Sequence, residues 1–218
     1  MPPRALKPIA FALLLAPLAK MAADAATGGL GANPIAEGLN RLGFWTLTFL
    51  ALSLVPTPAR EILGVSWPVR LRRTIGLFAF AYGTLHFAWY LGVDKFFALG
   101  EVGRDIGKRK FIAVGFAALV VLVPLAVTST DRWVRRLGHL RWKRLHRLAY
   151  LAALLGVLHF LWRVKADLRK PLLFAGAVGL LLLLRVPFAL RRAMRSRSAG
   201  QSSPSPRLRL RGEGGGER

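Results

Sequence analysis

The sequence contains no cysteine. The chain therefore cannot form disulfides, ligate an iron–sulfur cluster through thiolates, or attach haem covalently through a C-x-x-C-H motif. It also lacks a G-x-G-x-x-G motif or a P-loop placed to bind a nucleotide. Chemistry that draws on NAD(P)H would therefore require another protein.

Acidic residues are scarce, with 10 Asp and Glu against 33 Lys and Arg. Nine fall outside the apolar segments predicted below: Glu37, Glu61, Asp94, Glu101, Asp105, Asp131, Asp167, Glu213 and Glu217. The tenth, Asp24, is the last residue but one of the first segment, 9–25. Proton-coupled pumps and cation transporters usually carry carboxylates within the membrane, so the sequence argues against both classes. A formal charge of +23, taken by itself, would suggest a nucleic-acid partner. The basic residues, however, lie between apolar segments or in the C-terminal tail without a recognition motif, and we predict no nucleic-acid partner.

Long apolar runs dominate the rest of the chain, which is 54% hydrophobic with a mean hydropathy of +0.41. Six runs approach the roughly 20 residues that cross a bilayer as a helix: residues 9–25, 44–58, 74–93, 110–128, 143–163 and 171–190. Backbone in lipid must satisfy its own hydrogen bonds, so these runs should be helical. The sequence predicts an all-α integral membrane protein with about six transmembrane helices. There would be five if the first run, which resembles a signal peptide, is cleaved.

The distribution of basic residues predicts the orientation of the chain. Placing the N-terminus inside puts the larger share of Lys and Arg on the inner side, so we expect cytoplasmic N- and C-termini. Residues 1–190 form the predicted transmembrane domain. Residues 191–218 are rich in Ser, Pro, Gly and Arg, and are expected to be a basic disordered cytoplasmic tail. Contact of this tail with anionic membrane lipid is the alternative to a purely solvated end.

Three of the four histidines lie in predicted spans, where a titratable side chain is costly and usually functional. These are His86, His146 and His159, whereas His139 lies in a basic loop and is expected to be solvated. A neutral histidine bonded to a neighbouring carbonyl is the structural alternative for any single one of them.

Two of these histidines share a motif. Residues 83–89 and 156–162 both read G-x-L-H-F-x-W. Both helices run outward in the predicted topology, so His86 and His159 should lie at similar depth toward the outer face. The glycine three residues before each histidine leaves a notch that could admit another helix or the edge of a flat macrocycle. The pairing favours a shared ligand, and two facing imidazoles are axial ligands of haem iron, here b-type haem.

His146 is the harder case because it precedes His159 by thirteen residues, about 19.5 Å along a helix. An ideal helix points the two side chains in different directions unless a π-bulge or kink intervenes. Arg73 occupies the matching position before His86. Two interpretations stay open: a second haem or electron-entry site held by His146 with a non-histidine partner such as Arg73, or a His146 that snorkels to the inner interface.

The chain resembles the MsrQ (YedZ) family of haem-binding membrane subunits, within the ferric-reductase-like transmembrane superfamily. The resemblance covers residues from about 5 to 190. Its motifs are G-A-N-P at 31–34, R-R-x-x-G-L at 72–77, Y-x-x-L-H at 82–86, P-L-A-V-T-S-T at 124–130, the segment 137–150, and H-F-x-W at 159–162.

The resemblance implies a ferric-reductase-like haem-binding bundle in the bacterial inner membrane. Such a protein would carry electrons from the quinone pool or a cytosolic flavin reductase to a periplasmic molybdopterin-dependent methionine sulfoxide reductase, an MsrP-like catalytic subunit. It would hold one or two haems b and would not itself reduce methionine sulfoxide. FMN is also implied, with no residues assigned to it. A transmembrane ferric reductase and a non-redox membrane anchor are the alternatives.

Overall fold

A computed structural model describes residues 6–187, and all regular structure in that range is helical. We number the α-helices in chain order: α1 (Leu6–Ala26), α2 (Pro34–Leu54), α3 (Pro56–Leu63), α4 (Pro68–Trp89), α5 (Leu99–Lys108), α6 (Lys110–Val127), α7 (Asp131–Leu137), α8 (His139–Leu145), α9 (Leu148–Arg163) and α10 (Arg169–Leu183). A π-helical turn, Tyr90–Asp94, extends α4. The predicted all-α fold is confirmed.

Each of the six predicted apolar runs falls mainly on one helix of the bundle, and the runs 44–58 and 143–163 also extend into the short helices α3 and α8. Within residues 6–187, four helical stretches have the length and apolarity needed to cross a membrane: Leu6–Ala26, Pro34–Leu63, Lys110–Val127 and His139–Arg163. The remaining two predicted spans correspond to α4, which carries three arginines in its first two turns, and to α10, which has 15 residues. The number of six transmembrane spans therefore remains a prediction. Residues 188–190 of the last predicted span lie outside the described residues.

The second helix begins ten residues before the predicted start at residue 44. Asn33 caps it by accepting a hydrogen bond from the Ala36 amide at 3.0 Å, and Pro34 occupies its first position, where no backbone donor is needed. Glu37, expected outside the spans, consequently lies in the first turn of α2, and Asp24 lies in the last turn of α1. Both pair with Arg41, which offsets their charge.

The bundle is built from two main helix pairs, because α2 packs chiefly against α4 and α6 against α9. One apolar core of buried residues runs through both pairs and also takes in residues of α1 and α10. The segments that connect these helices lie at the two opposite ends of the bundle. We call the end that carries α5 the α5 end and the opposite end, which carries α7 and α8, the α7–α8 end.

A tyrosine hydroxyl joins α1 to α4. Pro17 lies within α1, next to Leu18. The hydroxyl of the buried Tyr82 contacts α1 at this point, accepting from the Leu18 amide at 3.0 Å and donating to the Leu14 carbonyl at 2.9 Å. All three polar groups are thereby satisfied inside an apolar core.

Candidate functional site

His86 projects from α4 against the backbone of α2. Its Nδ1 lies 3.0 Å from the Leu39 carbonyl oxygen. One helical turn further along α2 is Gly43, where an added Cβ would lie 3.2 Å from Cε1 of the His86 ring. The missing side chain at Gly43 lets the imidazole reach a carbonyl that already serves its own helix, since a carbonyl oxygen can accept two hydrogen bonds.

His159 repeats this arrangement on the other helix pair. From α9, its Nδ1 lies 2.7 Å from the Phe111 carbonyl oxygen of α6. Gly115 lies one turn further, and a Cβ there would be 2.5 Å from the same Nδ1 atom. Only glycine leaves room for the ring in this position.

These hydrogen bonds fix the tautomer of both imidazoles. A carbonyl cannot donate, so Nδ1 must carry the proton in each ring and Nε2 must carry the lone pair. Histidines that bind a metal through one nitrogen typically donate the other N–H to a carbonyl in this way. Neither Nε2 atom forms a hydrogen bond with a residue in the range 6–187.

The separation of the two rings fits a shared metal. Their centroids are 6.1 Å apart and their planes cross at 82°. A metal about 2 Å from each ligating nitrogen separates two imidazole centroids by roughly 6 Å. The expectation that His86 and His159 come together is met by the geometry, and the donor set suits the iron of a haem with two axial imidazoles.

The two motif glycines serve helix packing rather than an open notch. An added Cβ at Gly83 would meet Thr46 at 3.3 Å, and one at Gly156 would meet Leu47 at 3.1 Å. Both neighbours belong to α2, so of the two alternatives left open by the sequence, a neighbouring helix occupies these notches. The glycines that admit the imidazoles are Gly43 and Gly115.

Sequence reasoning missed the acceptor helices, although a signal for them is present. Residues 39–44 read L-N-R-L-G-F and residues 111–116 read F-I-A-V-G-F. Each segment places an apolar residue four positions before a Gly-Phe pair. The G-x-L-H-F-x-W repeat therefore has a second, fainter repeat in the helices that receive its histidines.

His146 lies at the α7–α8 end, where residues 146 and 147 interrupt the helix between α8 and α9. The predicted span 143–163 is thus not one continuous helix. It is interrupted at His146, which corresponds to the kink that the sequence analysis gave as an alternative. Nδ1 of His146 lies 3.1 Å from the Trp142 carbonyl, and the two rings stack with centroids 3.9 Å apart. Nε2 is buried and has no hydrogen-bond partner among the described residues.

The other two predicted positions lie apart from the histidine pair. Arg73 of α4 forms an ion pair with Asp131 at 2.6 Å, which ties α4 to the start of α7. The hydrogen bond from Arg73 lowers the pKa of the exposed Asp131 carboxyl. His139 begins α8 and is exposed, as expected of a loop histidine.

Comparison with known proteins identifies the family. The profile described as ferric reductase like transmembrane component matches residues 42–157, a range that includes His86 and ends two residues before His159. The predicted ferric-reductase-like fold class is confirmed.

Three similar proteins carry the name "Protein-methionine-sulfoxide reductase heme-binding subunit MsrQ". The chain is 53% identical over 188 residues to the Rhodospirillum rubrum protein, covering 86% of this chain and 90% of that protein. It is 46% identical over 186 residues to the Herminiimonas arsenicoxydans protein, covering 84% and 85% respectively. It is 42% identical over 209 residues to the Ralstonia nicotianae protein, covering 94% and 96%. The chain therefore belongs to the MsrQ family of ferric-reductase-like membrane proteins.

Proposed function

We propose that this protein is the haem-binding, electron-transferring membrane subunit of a protein-methionine-sulfoxide reductase system, with His86 and His159 as the axial ligands of a b-type haem. One observation carries the proposal: two imidazoles with centroids 6.1 Å apart, each oriented by a backbone carbonyl that leaves its Nε2 lone pair available. When bound there, haem supplies a one-electron redox centre within the membrane.

The chain's own residues orient and restrain the ligands. The Leu39 and Phe111 carbonyls hold the tautomer and the ring direction, and the absence of a side chain at Gly43 and Gly115 lets the rings sit against their acceptor helices. Such outer contacts raise ligand basicity and reduce the rearrangement needed when iron binds.

The direction of electron flow follows from the proposed topology in the bacterial inner membrane. The histidine pair lies toward the α5 end, which would face the periplasm and a molybdopterin-dependent, MsrP-like catalytic subunit. His146 lies at the α7–α8 end, which would face the cytoplasm and the quinone or flavin reductase that donates electrons. Its buried, unpartnered Nε2 supports a second haem or electron-entry site there, with Arg73 on the same side.

The test is a reduced-minus-oxidised absorption spectrum of the detergent-purified protein with haem and FMN quantified per chain. We expect a low-spin b-type spectrum, lost from the outer site in His86→Ala and in His159→Ala. The matched control is His139→Ala, because this exposed histidine should leave haem content unchanged. His146→Ala should remove one haem of two if it holds the second. Full haem retention in either paired-histidine variant would contradict the assignment.

A transmembrane ferric reductase is the second candidate, favoured by the description of the matching family profile. Both functions use the same histidine pair, so the electron acceptor distinguishes them. Reduced protein should be reoxidised by a periplasmic methionine sulfoxide reductase subunit under the first proposal and by a ferric chelate under the second. A colourless protein from haem-replete cells would instead support a non-redox anchor.

A further inference from the structure

Arg163 stands next to the histidine pair on the side of the α5 end. It is the last residue of α9 and follows His159 by four positions, so it lies on the same helical face about 6 Å further along the axis. Its partly buried side chain donates to Oδ1 of Asn40 in α2 from both terminal nitrogens, at 2.6 Å for Nη1. Asn40 directly follows Leu39, the residue that holds His86. The guanidinium therefore bridges the helices that position both imidazoles.

This guanidinium lacks a carboxylate partner in residues 6–187, unlike Arg41 and Lys95 at the same end of the bundle. Arg41 pairs with Glu37 and Asp24, and Lys95 pairs with Asp105. Arg163 has only the neutral amide of Asn40. A partly buried cation without a counter-charge is costly unless a ligand supplies one.

The geometry of the side chain suits a carboxylate. A guanidinium has five N–H donors in a planar fork, and Asn40 receives its two bonds at a single oxygen. Further donors remain for a carboxylate, which arginine binds in a bidentate manner more readily than lysine does. Haem presents two propionate carboxylates along one edge of its macrocycle.

We propose that Arg163, held in place by Asn40, binds a propionate of the haem ligated by His86 and His159 and so turns the propionate edge toward the α5 end. The inference rests on the proposed function, because it requires haem at that pair. Arg163 is the contact residue, and Asn40 acts as a positioning residue through it.

A cation at this position also favours reduced haem, because reduction adds one negative charge close to it. We expect Arg163→Gln to shift the one-electron reduction equilibrium about tenfold toward ferric haem, a midpoint potential lower by about 59 mV. Arg163→Lys should lower the midpoint potential less than Arg163→Gln does, since lysine keeps the positive charge but lacks the forked donor geometry of the guanidinium. Arg169→Gln is the control, because this arginine, the first residue of α10, is exposed.

Potentiometric titration of the full-length purified variants tests the inference. An unchanged potential in Arg163→Gln with haem retained overturns this inference and leaves the proposed function standing. A wild-type protein without haem overturns both. Equal shifts in Arg163→Gln and Arg169→Gln would show a general surface-charge effect and also overturn it.

A second measurement applies where Arg163→Gln loses its haem. Protein produced without haem is reconstituted with haem b or with its dimethyl ester, whose propionates are uncharged. Wild-type protein should prefer haem b, and Arg163→Gln should lose that preference by about tenfold while its affinity for the ester stays close to that of wild type. Equal weakening toward both compounds would assign Arg163 a structural role and overturn the inference.

Discussion

At the scale of single residues, the site depends on two glycines, whose lack of a side chain leaves room for the imidazoles. Gly43 and Gly115 allow imidazoles from neighbouring helices to reach carbonyls that a methyl group would shield. The two positions differ in how closely the ring approaches. At Gly115 an added Cβ would overlap the ring at 2.5 Å from Nδ1, whereas at Gly43 the approach is 3.2 Å to Cε1.

Gly115→Ala should therefore displace His159, break its bond to Phe111 and lower haem content strongly. Gly43→Ala should have a weaker effect on His86, because a shift of a few tenths of an ångström relieves the contact. Gly76→Ala is the matched control: it lies within α4 with no atom within 4 Å of an added Cβ, and alanine stabilises a helix interior by about 1 kcal/mol. Haem per chain and thermal stability measured together check the prediction. It would be contradicted if Gly115→Ala kept the haem content of Gly76→Ala.

At the scale of elements, α5 is attached to the end of α4 by polar contacts around one carboxylate. Asp105 accepts a hydrogen bond from the Tyr90 hydroxyl at 2.8 Å and pairs with Lys95 at 3.0 Å and with Arg109 at 3.3 Å. The turn before α5 carries Phe96 and Phe97 in the left-handed region, at φ 47° and 61°, which is strained for bulky residues. The ion pairs around Asp105 help to hold this turn.

The hydrogen bond from Lys95 lowers the pKa of Asp105 below its ordinary value of 3.8. A lowered folded-state pKa means that these contacts stabilise α5 above the unfolded-state value and are lost as the pH falls through the folded-state value. Asp105→Asn should weaken the attachment by about 1 kcal/mol, roughly a fivefold increase in local opening. Hydrogen exchange of residues 99–108 at neutral pH measures this opening. Opening equal to that of wild type would contradict the role assigned to Asp105, and Asp167→Asn in another loop is the control.

At the scale of the whole molecule, α1 is joined to the histidine-bearing helices through the core. Leu14 and Met21 of α1 are buried in the same cluster as residues of α2, α4 and α9. The Tyr82 hydroxyl supplies the polar part of this attachment through its bonds to Leu14 and Leu18. Since Tyr82 precedes His86 by one turn, loosening α1 also affects the helix that carries a proposed ligand.

Tyr82→Phe should destabilise the folded protein by about 1–3 kcal/mol, because it removes the hydroxyl that bonds both the Leu18 amide and the Leu14 carbonyl. We expect a lower Tm in detergent, with haem released at a lower temperature than in wild type. The control is Thr48→Val, which removes an exposed hydroxyl bonded only to its own helix at the Phe44 carbonyl. Identical melting of Tyr82→Phe and wild type would show that the hydroxyl bridge contributes nothing.

The sequence by itself determined the helical class, the long apolar segments and the pairing of His86 with His159. These features depend on local composition and on a repeated motif, and both are readable along the chain. It misplaced the start of α2 because the residues before 44 are more polar, although Asn33 and Pro34 are strong signals for a helix start.

Only the tertiary structure decided how the histidines are held. Which carbonyl an imidazole reaches depends on the register between α4 and α2 and between α9 and α6, and that register is set by packing over the whole bundle. For the same reason the motif glycines proved to be packing positions, while Gly43 and Gly115, far away in sequence, admit the rings. The Arg163–Asn40 contact likewise joins segments far apart in the chain, and no local pattern encodes it.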